Sequence, residues 1–257
     1  MAAGKWHKPE DRLESRSGPI MEEITEDVKN LAIMAHDLKA PLSAVVNLLS
    51  IIEKGYVEDA NKVKELIGRA RQKSETLIRM VEDILDYTQL ENKTMMKREK
   101  VNIYAVLEES FSTMRAIAKG KNISLTAKFD SPPHQQAYMY GNFTFLLRAI
   151  NNIIMNAIKY NREQGKVEVQ CYEEGGHTFT IKVVDTGIGI SEEDKVHAFD
   201  LFHRGREARK NIDGSIGLGL ALVKQIIDDH EGSIELTSTL GVGTTILIKL
   251  PLINKED

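Results

Sequence analysis

Apolar residues recur at alternating steps of four and three through the first part of the chain: Ile24, Val28, Leu31, Ala35, Leu38, Leu42, Val45, Leu49 and Ile52. This is the a/d register of a helix packed against partners, and it predicts one long helix over residues 21–54. A break that contains Gly55 and Tyr56 and reaches Asn61 follows. A second series then runs through Val63, Ile67, Ala70, Leu77, Val81, Ile84 and Leu85 as far as Leu90 and Glu91. Two amphipathic helices with a short connection make an antiparallel hairpin. Such a hairpin leaves one apolar stripe uncovered, so it is expected to dimerise into a four-helix bundle. Pro41 lies within the first helix, where it removes a backbone hydrogen bond and is expected to cause a kink.

The pattern changes beyond residues 92–98, a polar stretch read as a linker. Residues 101–119 suggest a strand followed by a helix, and 123–127 a strand. Residues 142–159 form a helix rich in Leu, Ile and Asn. Residues 167–172 and 178–184 alternate as paired strands across Glu174, Gly175 and Gly176, a hairpin signal. A helix over 218–230 and strands at 233–236 and 244–250 complete the series. Hairpin strands with helices between them predict an α+β sandwich, with the helices on one face of a sheet. Residues 1–20 lack periodicity, contain Gly4, Pro9, Gly18 and Pro19, and read as a disordered leader of the kind added by cloning. The expected organisation is therefore a leader at 1–20, a helical hairpin at 21–92 and a mixed domain at 98–253.

Composition narrows the class. Of 257 residues, 42% are hydrophobic and 28% charged, as in ordinary soluble globular proteins. A net charge of −4 offers no basic face for nucleic acid. The one cysteine, Cys171, falls in a predicted strand and excludes a disulfide framework. It reads as a buried apolar residue in a reducing compartment. No apolar run approaches a membrane span and no signal peptide is visible, so a cytoplasmic location is expected. Any membrane anchor, and any sensor domain of a longer parent, would lie outside this chain.

Four groups of residues carry candidate chemistry. His36 sits one position after Ala35, on the outward side of the seam, with Asp37 beside it. Asn152 and Asn156 project from one helical face, with Lys159 at the next turn and Tyr160 following. Amide oxygens are hard ligands suited to Mg2+, and Lys159 could contact a phosphate. Asp185 ends a strand that runs into Thr186, Gly187, Ile188 and Gly189. A carboxylate there can accept from an exocyclic amine such as that of adenine, and the glycines let the backbone approach a ligand. Asp213, Gly214, Ser215, Ile216, Gly217, Leu218, Gly219 and Leu220 open a helix, where free N–H groups and the dipole favour a phosphate. The absence of Gly-Lys-Ser/Thr excludes a P-loop, and no strand runs directly into this stretch as a dinucleotide fingerprint requires. Arg204, Arg206, Arg209 and Lys210 make a basic stretch that could fold over phosphates.

Taken in order, His-Asp-Leu-Lys-Ala-Pro-Leu from His36, Asn-x-x-x-Asn-Ala-x-Lys-Tyr from Asn152, Asp-x-Gly-x-Gly from Asp185, Phe199-Asp200-Leu201-Phe202 and Gly-Leu-Gly-Leu-Ala-Leu-Val from Gly217 resemble the H, N, G1, F and G2 boxes of sensor histidine kinases. His230-Glu231-Gly232-Ser233-Ile234 and Gly241-Val242-Gly243-Thr244-Thr245 are similar to that family's last strands. The resemblance implies a homodimeric histidine-phosphotransfer hairpin followed by a Bergerat-type ATP-binding domain. It implies that His36 is the phosphoacceptor and that Asp37 holds its imidazole. Asn156 would be the Mg2+ ligand, with Asn152 as its helper. Lys159, Tyr160, Gly217, Leu218, Gly219 and Leu220 would contact the nucleotide, and Asp185 would read adenine. Gly187 and Gly189 would shape the pocket, and Thr244 would lie near the adenine.

The implied reaction is ATP-dependent phosphorylation of His36 and transfer to an aspartate of a response regulator. A neutral imidazole whose one N–H is held by a carboxylate keeps its other nitrogen free to attack. Positioning and charge neutralisation would supply the rest. Ala40 stands where many members have Thr or Asn, a side chain associated with dephosphorylating the regulator, so phosphatase activity is in doubt. Ser215 and Ile216 depart from the family's usual turn. Two alternatives share most of these residues: a nucleotide-responsive scaffold without phosphotransfer, and an ATPase related to gyrase or chaperone domains.

Overall fold

The computed structural model describes residues 14–91, 97–129, 137–203, 205 and 217–253. Two long helices come first, α1 (Glu14–Glu53) and α2 (Ala60–Glu91). Gly55, with φ +68°, ends α1 by turning its own N–H onto the Ile52 carbonyl and that of Tyr56 onto Ile51. Asp59 starts α2 by accepting the Lys62 N–H at 2.9 Å. α1 begins at Glu14, earlier than the expected leader boundary, and takes in Gly18 and Pro19. Once a long helix is nucleated, each added residue costs little, so one proline is absorbed near the end. α1 also continues through Pro41, which denies the Asp37 carbonyl its usual donor four residues on.

The second part is the expected α+β sandwich. A short strand β1 (Glu99–Asn102) leads into α3 (Ile103–Gly120), and β2 (Ser124–Phe129) and β3 (Tyr138–Gly141) follow. Then come α4 (Phe143–Lys159), β4 (Lys166–Glu174), β5 (Thr178–Asp185) and the single turn α5 (Glu192–Lys195). The helix α6 (Gly219–Asp229) and strands β6 (Ser233–Thr239) and β7 (Gly243–Pro251) close the described chain. The sheet order is β2-β4-β5-β7-β6, with β2 and β4 parallel and the other pairs antiparallel. β1 and β3 form a separate two-stranded ribbon. Val167, Val169, Cys171, Phe179, Ile181, Val183, Ile246 and Ile248 alternate onto the face that meets α3, α4 and α6. Tyr104 of α3 packs edge-on against Phe179 at 5.2 Å.

The chain divides into two compact units between Leu77 and Ile78, inside α2 and not at the expected linker. The reason is visible in the last turns of α2. Leu90 is buried in the core of the second unit, Tyr87 packs against it, and Asp83 and Asp86 both meet Arg148 of α4. Residues 92–96 of the expected linker, and 1–13 of the expected leader, lie outside the described residues. Among the described residues no helix is long and apolar enough to cross a membrane.

A buried histidine fixes the spacing of α4 and α6. His230, at the end of α6, is 1% exposed. Its Nδ1 lies 2.7 Å from the Ile226 carbonyl, and its Nε2 accepts the N–H of Asn142, the residue that caps α4, at 2.9 Å. Both bonds require the neutral ring with hydrogen on Nδ1. Burial holds the His230 pKa below its ordinary value; the Ile226 carbonyl opposes this and the Arg98 cation reinforces it. The unfolded chain takes up this proton near pH 6.5, whereas the folded domain resists it. The stability His230 confers is therefore full above about pH 6.5 and is lost as pH falls toward the lower folded value. Urea midpoints of the wild type should thus drop more steeply from pH 7.5 to about 5.5 than those of His230→Gln, whose amide accepts without titrating. Asp83, Asp86 and Asp185, with raised pKa values, act with the opposite sign in both proteins and cancel. Parallel pH curves would contradict this account.

Candidate functional site

Asp185 stands at the end of β5, the central strand of the sheet. Its Oδ1 accepts the Gly187 N–H at 2.7 Å and the Thr244 N–H at 3.3 Å. Both bonds go to one oxygen, which leaves Oδ2 for a ligand. Burial pushes the carboxyl above its ordinary range, and the two amides pull it back. A carboxylate short of water and fixed in direction is a strong acceptor for an exocyclic amine.

The loop after Asp185 is tied down on both sides. Ile188 donates to the Tyr160 carbonyl at 3.0 Å, and its own carbonyl accepts from Gly241 at 2.7 Å. Thr186 donates through Oγ1 to Asn161 and accepts from the Lys166 N–H. Gly189 has φ +68° and packs against the Thr239 backbone, where a Cβ would collide. The loop thus links the end of α4 to the hairpin of β6 and β7.

α4 supplies the amides. Asn152 and Asn156 are half-buried and lie one turn apart, and the Asn152 Nδ2 is buried without a hydrogen-bond partner. An orphaned donor of this kind costs stability unless a ligand or water meets it. Lys159, in the last turn, places its Nζ 5.1 Å from the centre of the Tyr160 ring. At the start of α6, Gly217 has φ +81° and its carbonyl accepts the Phe202 N–H at 3.1 Å. Among the described residues nothing approaches within 4 Å of where a Gly219 Cβ would stand, and a helix start leaves its first N–H groups without intrahelical partners. These features fit a nucleotide: an acceptor for its base, two half-buried amides whose oxygens suit a hard cation, and a helix start for its phosphates.

Not every expected residue presents a side chain. Leu218 is 1% exposed and Leu220 packs against the core, so neither offers more than backbone to a ligand. Thr244 turns its Oγ1 to Ser238, 2.9 Å away, and its N–H to Asp185. Its link to the adenine position therefore runs through the carboxylate. Arg204, Arg206, Arg209, Lys210, Asp213, Gly214, Ser215 and Ile216 lie outside the described residues.

His36 is separate from these groups in sequence and sits on α1 with 84% of its side chain exposed. Its Nδ1 is 3.3 Å from Asp37 Oδ1. In the tautomer with hydrogen on Nδ1 the carboxylate accepts it, and Nε2 keeps a free lone pair.

Two family models match the chain. Residues 28–93 match the His Kinase A (phospho-acceptor) domain. Residues 141–254 match the family model of the histidine kinase-, DNA gyrase B-, and HSP90-like ATPase. The chain belongs to the sensor histidine kinases. "Drug sensory protein A" of Synechocystis is 31% identical over 228 residues, covering 84% of this chain and 34% of that protein. Among solved structures, the Acinetobacter baumannii histidine kinase AdeS superposes with a TM-score of 0.66 at 22% identity, over 85% of this chain and 98% of that one. The histidine kinase ThkA, solved with the response regulator protein TrrA, gives 0.68 at 20% identity, over 96% and 66%. These two likenesses speak for the fold alone. The chain spans 34% to 56% of the length of three curated relatives it matches.

Ser238 and Asn161 were not singled out by sequence reasoning. Ser238 accepts the Ile190 N–H at 2.8 Å and donates to the Gly243 carbonyl. Asn161 donates to the Ala157 and Lys166 carbonyls. Single polar residues with distant partners leave no periodic signal. Asp185→Asn keeps an oxygen for Gly187 and Thr244 but puts a donor where Oδ2 stands. Its melting temperature should stay within a few degrees of wild type while ATP binding weakens roughly tenfold to a hundredfold, measured by nucleotide titration. Unchanged affinity would contradict the assignment.

Proposed function

We propose that this chain binds ATP with Mg2+ in its second unit, phosphorylates His36 and passes the phosphoryl group to an aspartate of a response regulator. The single observation that carries this reading is the pairing of His36 and Asp37 in a chain that also holds the Asp185 pocket. Asp37 accepts from Nδ1, so His36 Nε2 attacks the γ-phosphorus. The N–P bond forms as the bond to the β,γ-bridging oxygen breaks, and ADP leaves. The hydrogen on Nδ1 stays with the ring, and the Asp37 carboxylate offsets the positive charge that the ring gains. The product is a phosphoramidate able to pass its phosphoryl group to a carboxylate.

Asp185 would hold the adenine amine through Oδ2, and the opening N–H groups of α6 would meet phosphate oxygens. Asn156, with Asn152 beside it, would hold Mg2+ through amide oxygen, and the ion would neutralise phosphate charge. Lys159 would add a cation at the same end of α4. A second copy of the chain would cover the apolar positions left exposed on the two long helices, Leu42, Val46 and Leu49 on α1 and Ile67, Ile78, Val81 and Leu85 on α2. Ala40 offers no side-chain hydrogen bond to orient water, so phosphatase action on the regulator is not part of this reading.

Incubation with γ-labelled ATP and Mg2+ tests it. The wild type should acquire acid-labile label, and His36→Gln none, while ATP binds both proteins with similar affinity. Label on the variant, or none on the wild type with nucleotide turned over, would overturn the reading.

A further inference from the structure

Asp194, His197, Asp200 and His203 recur at steps of three along the chain that leads from α5 towards α6. Three successive backbone bonds join them in the same order. The His197 N–H meets the Asp194 carbonyl at 3.2 Å, Asp200 meets His197 at 3.0 Å, and His203 meets Asp200 at 3.4 Å. Bonds of this i to i+3 kind bring residues three apart onto one side of the chain. Phe202 then takes φ +62°, an unusual value for a bulky residue. The turn it makes returns the His203 ring to the His197 ring, with centres 5.4 Å apart and planes tilted by 42°.

Each ring has a carboxylate beside one nitrogen. Asp200 Oδ2 lies 2.6 Å from His197 Nδ1, and Asp194 Oδ1 lies 3.6 Å from His203 Nε2. The Ser191 hydroxyl steadies Asp194 by donating to its Oδ2 at 2.9 Å. With hydrogen on the nitrogen that faces the carboxylate, each ring keeps a lone pair on the other: Nε2 of His197 and Nδ1 of His203. Outer carboxylates orient metal-binding imidazoles in this way. The spacing agrees. Two imidazoles on one tetrahedral ion, at metal–nitrogen distances of about 2.0–2.1 Å, hold their ring centres roughly 5.2 Å apart. All four side chains belong to the second unit, and none has a part in the reaction proposed above.

We propose that His197 and His203 bind a transition-metal ion of the Zn2+ class, with Asp200 and Asp194 orienting the two rings. Among the described residues no three His, Cys, Asp or Glu side chains converge on one point, so water fills the remaining positions. Imidazole nitrogen suits Zn2+ and its neighbours in the first transition row, whereas Mg2+ takes oxygen. The site is thereby distinct from the amides of Asn152 and Asn156. An ion here joins the turn after α5 to the segment that Phe202 ties to Gly217 at the entry to α6.

The test uses the full chain with no added histidines, and Zn2+ itself as the probe. In competition with a chromogenic chelator, the wild type should hold one equivalent of Zn2+ that His197→Gln/His203→Gln binds roughly tenfold or more weakly. The other five of the seven histidines remain in that variant, so equal binding by the two proteins overturns the site. Asp200→Asn should weaken Zn2+ by about tenfold, and an unchanged affinity overturns the orienting role of the carboxylate. A large excess of Mg2+ should leave Zn2+ in place; displacement contradicts nitrogen ligands. Amide hydrogen exchange across residues 196–203 should slow when Zn2+ is added to the wild type and not in the double variant. Exchange that responds alike in both proteins also overturns the site. If circular dichroism shows the double variant unfolded, His197→Gln alone decides, since that ring is 56% exposed.

Discussion

The site depends on one oxygen, Asp185 Oδ1, which receives two backbone N–H groups from different parts of the chain. The Gly187 bond folds the loop back on the strand that ends at Asp185, and the Thr244 bond pins the start of β7 beside it. Each charge-assisted bond is worth about 1.5–3 kcal/mol, which offsets part of the cost of holding a carboxylate partly out of water. Gly243 completes the junction by letting its backbone pack against the Asp185 carbonyl, a space that any Cβ would fill. With one oxygen committed, the direction of the other is fixed, and the loop is set against the carbonyl of Tyr160 at the end of α4. Removing the carboxylate would therefore loosen three elements as well as remove an acceptor.

The contrast with His36 is physical. On the proposed reading His36 has to be reachable by a phosphate donor and a recipient in turn, which suits an exposed ring on a helix surface with a neighbouring carboxylate. A nucleotide pocket has to exclude water and hold direction, so its groups are built into a sheet end and two helices. This division explains why one part of the chemistry rests on two consecutive residues and the other on contacts spread over about a hundred positions of sequence.

That difference also governs what could be read without the structure. The hairpin of β4 and β5, the helix α4 and the long helices follow from period and turn residues within short windows. Asp185, Gly187 and Asn156 stand out because unusual residue types occupy positions of regular pattern. The strand β3 escaped, since its four residues have no run to mark them and its partner β1 lies across α3 and β2. The compact boundary inside α2 escaped for a similar reason: the polar stretch after it resembles a linker, but Arg148 and Asp83 are 65 residues apart. His230 and Asn142 are 88 apart and meet through one backbone N–H. Local pattern carries no trace of such pairs, because each partner taken alone is an ordinary polar residue.

These long-range pairs converge on α4. Its cap residue takes His230, its second turn carries Arg148, its later turns hold Asn152 and Asn156, and the carbonyl of Tyr160 at its C-terminal end meets the loop after Asp185. An α-helix transmits displacement along its axis with little internal give, because each turn is bonded to the next. The contact of Arg148 with the end of α2 and the position of Asn152 one turn later therefore share one rigid element. α4 is thus a single rigid helix whose two ends are anchored differently, one by a neutral buried histidine and the other by the loop after Asp185.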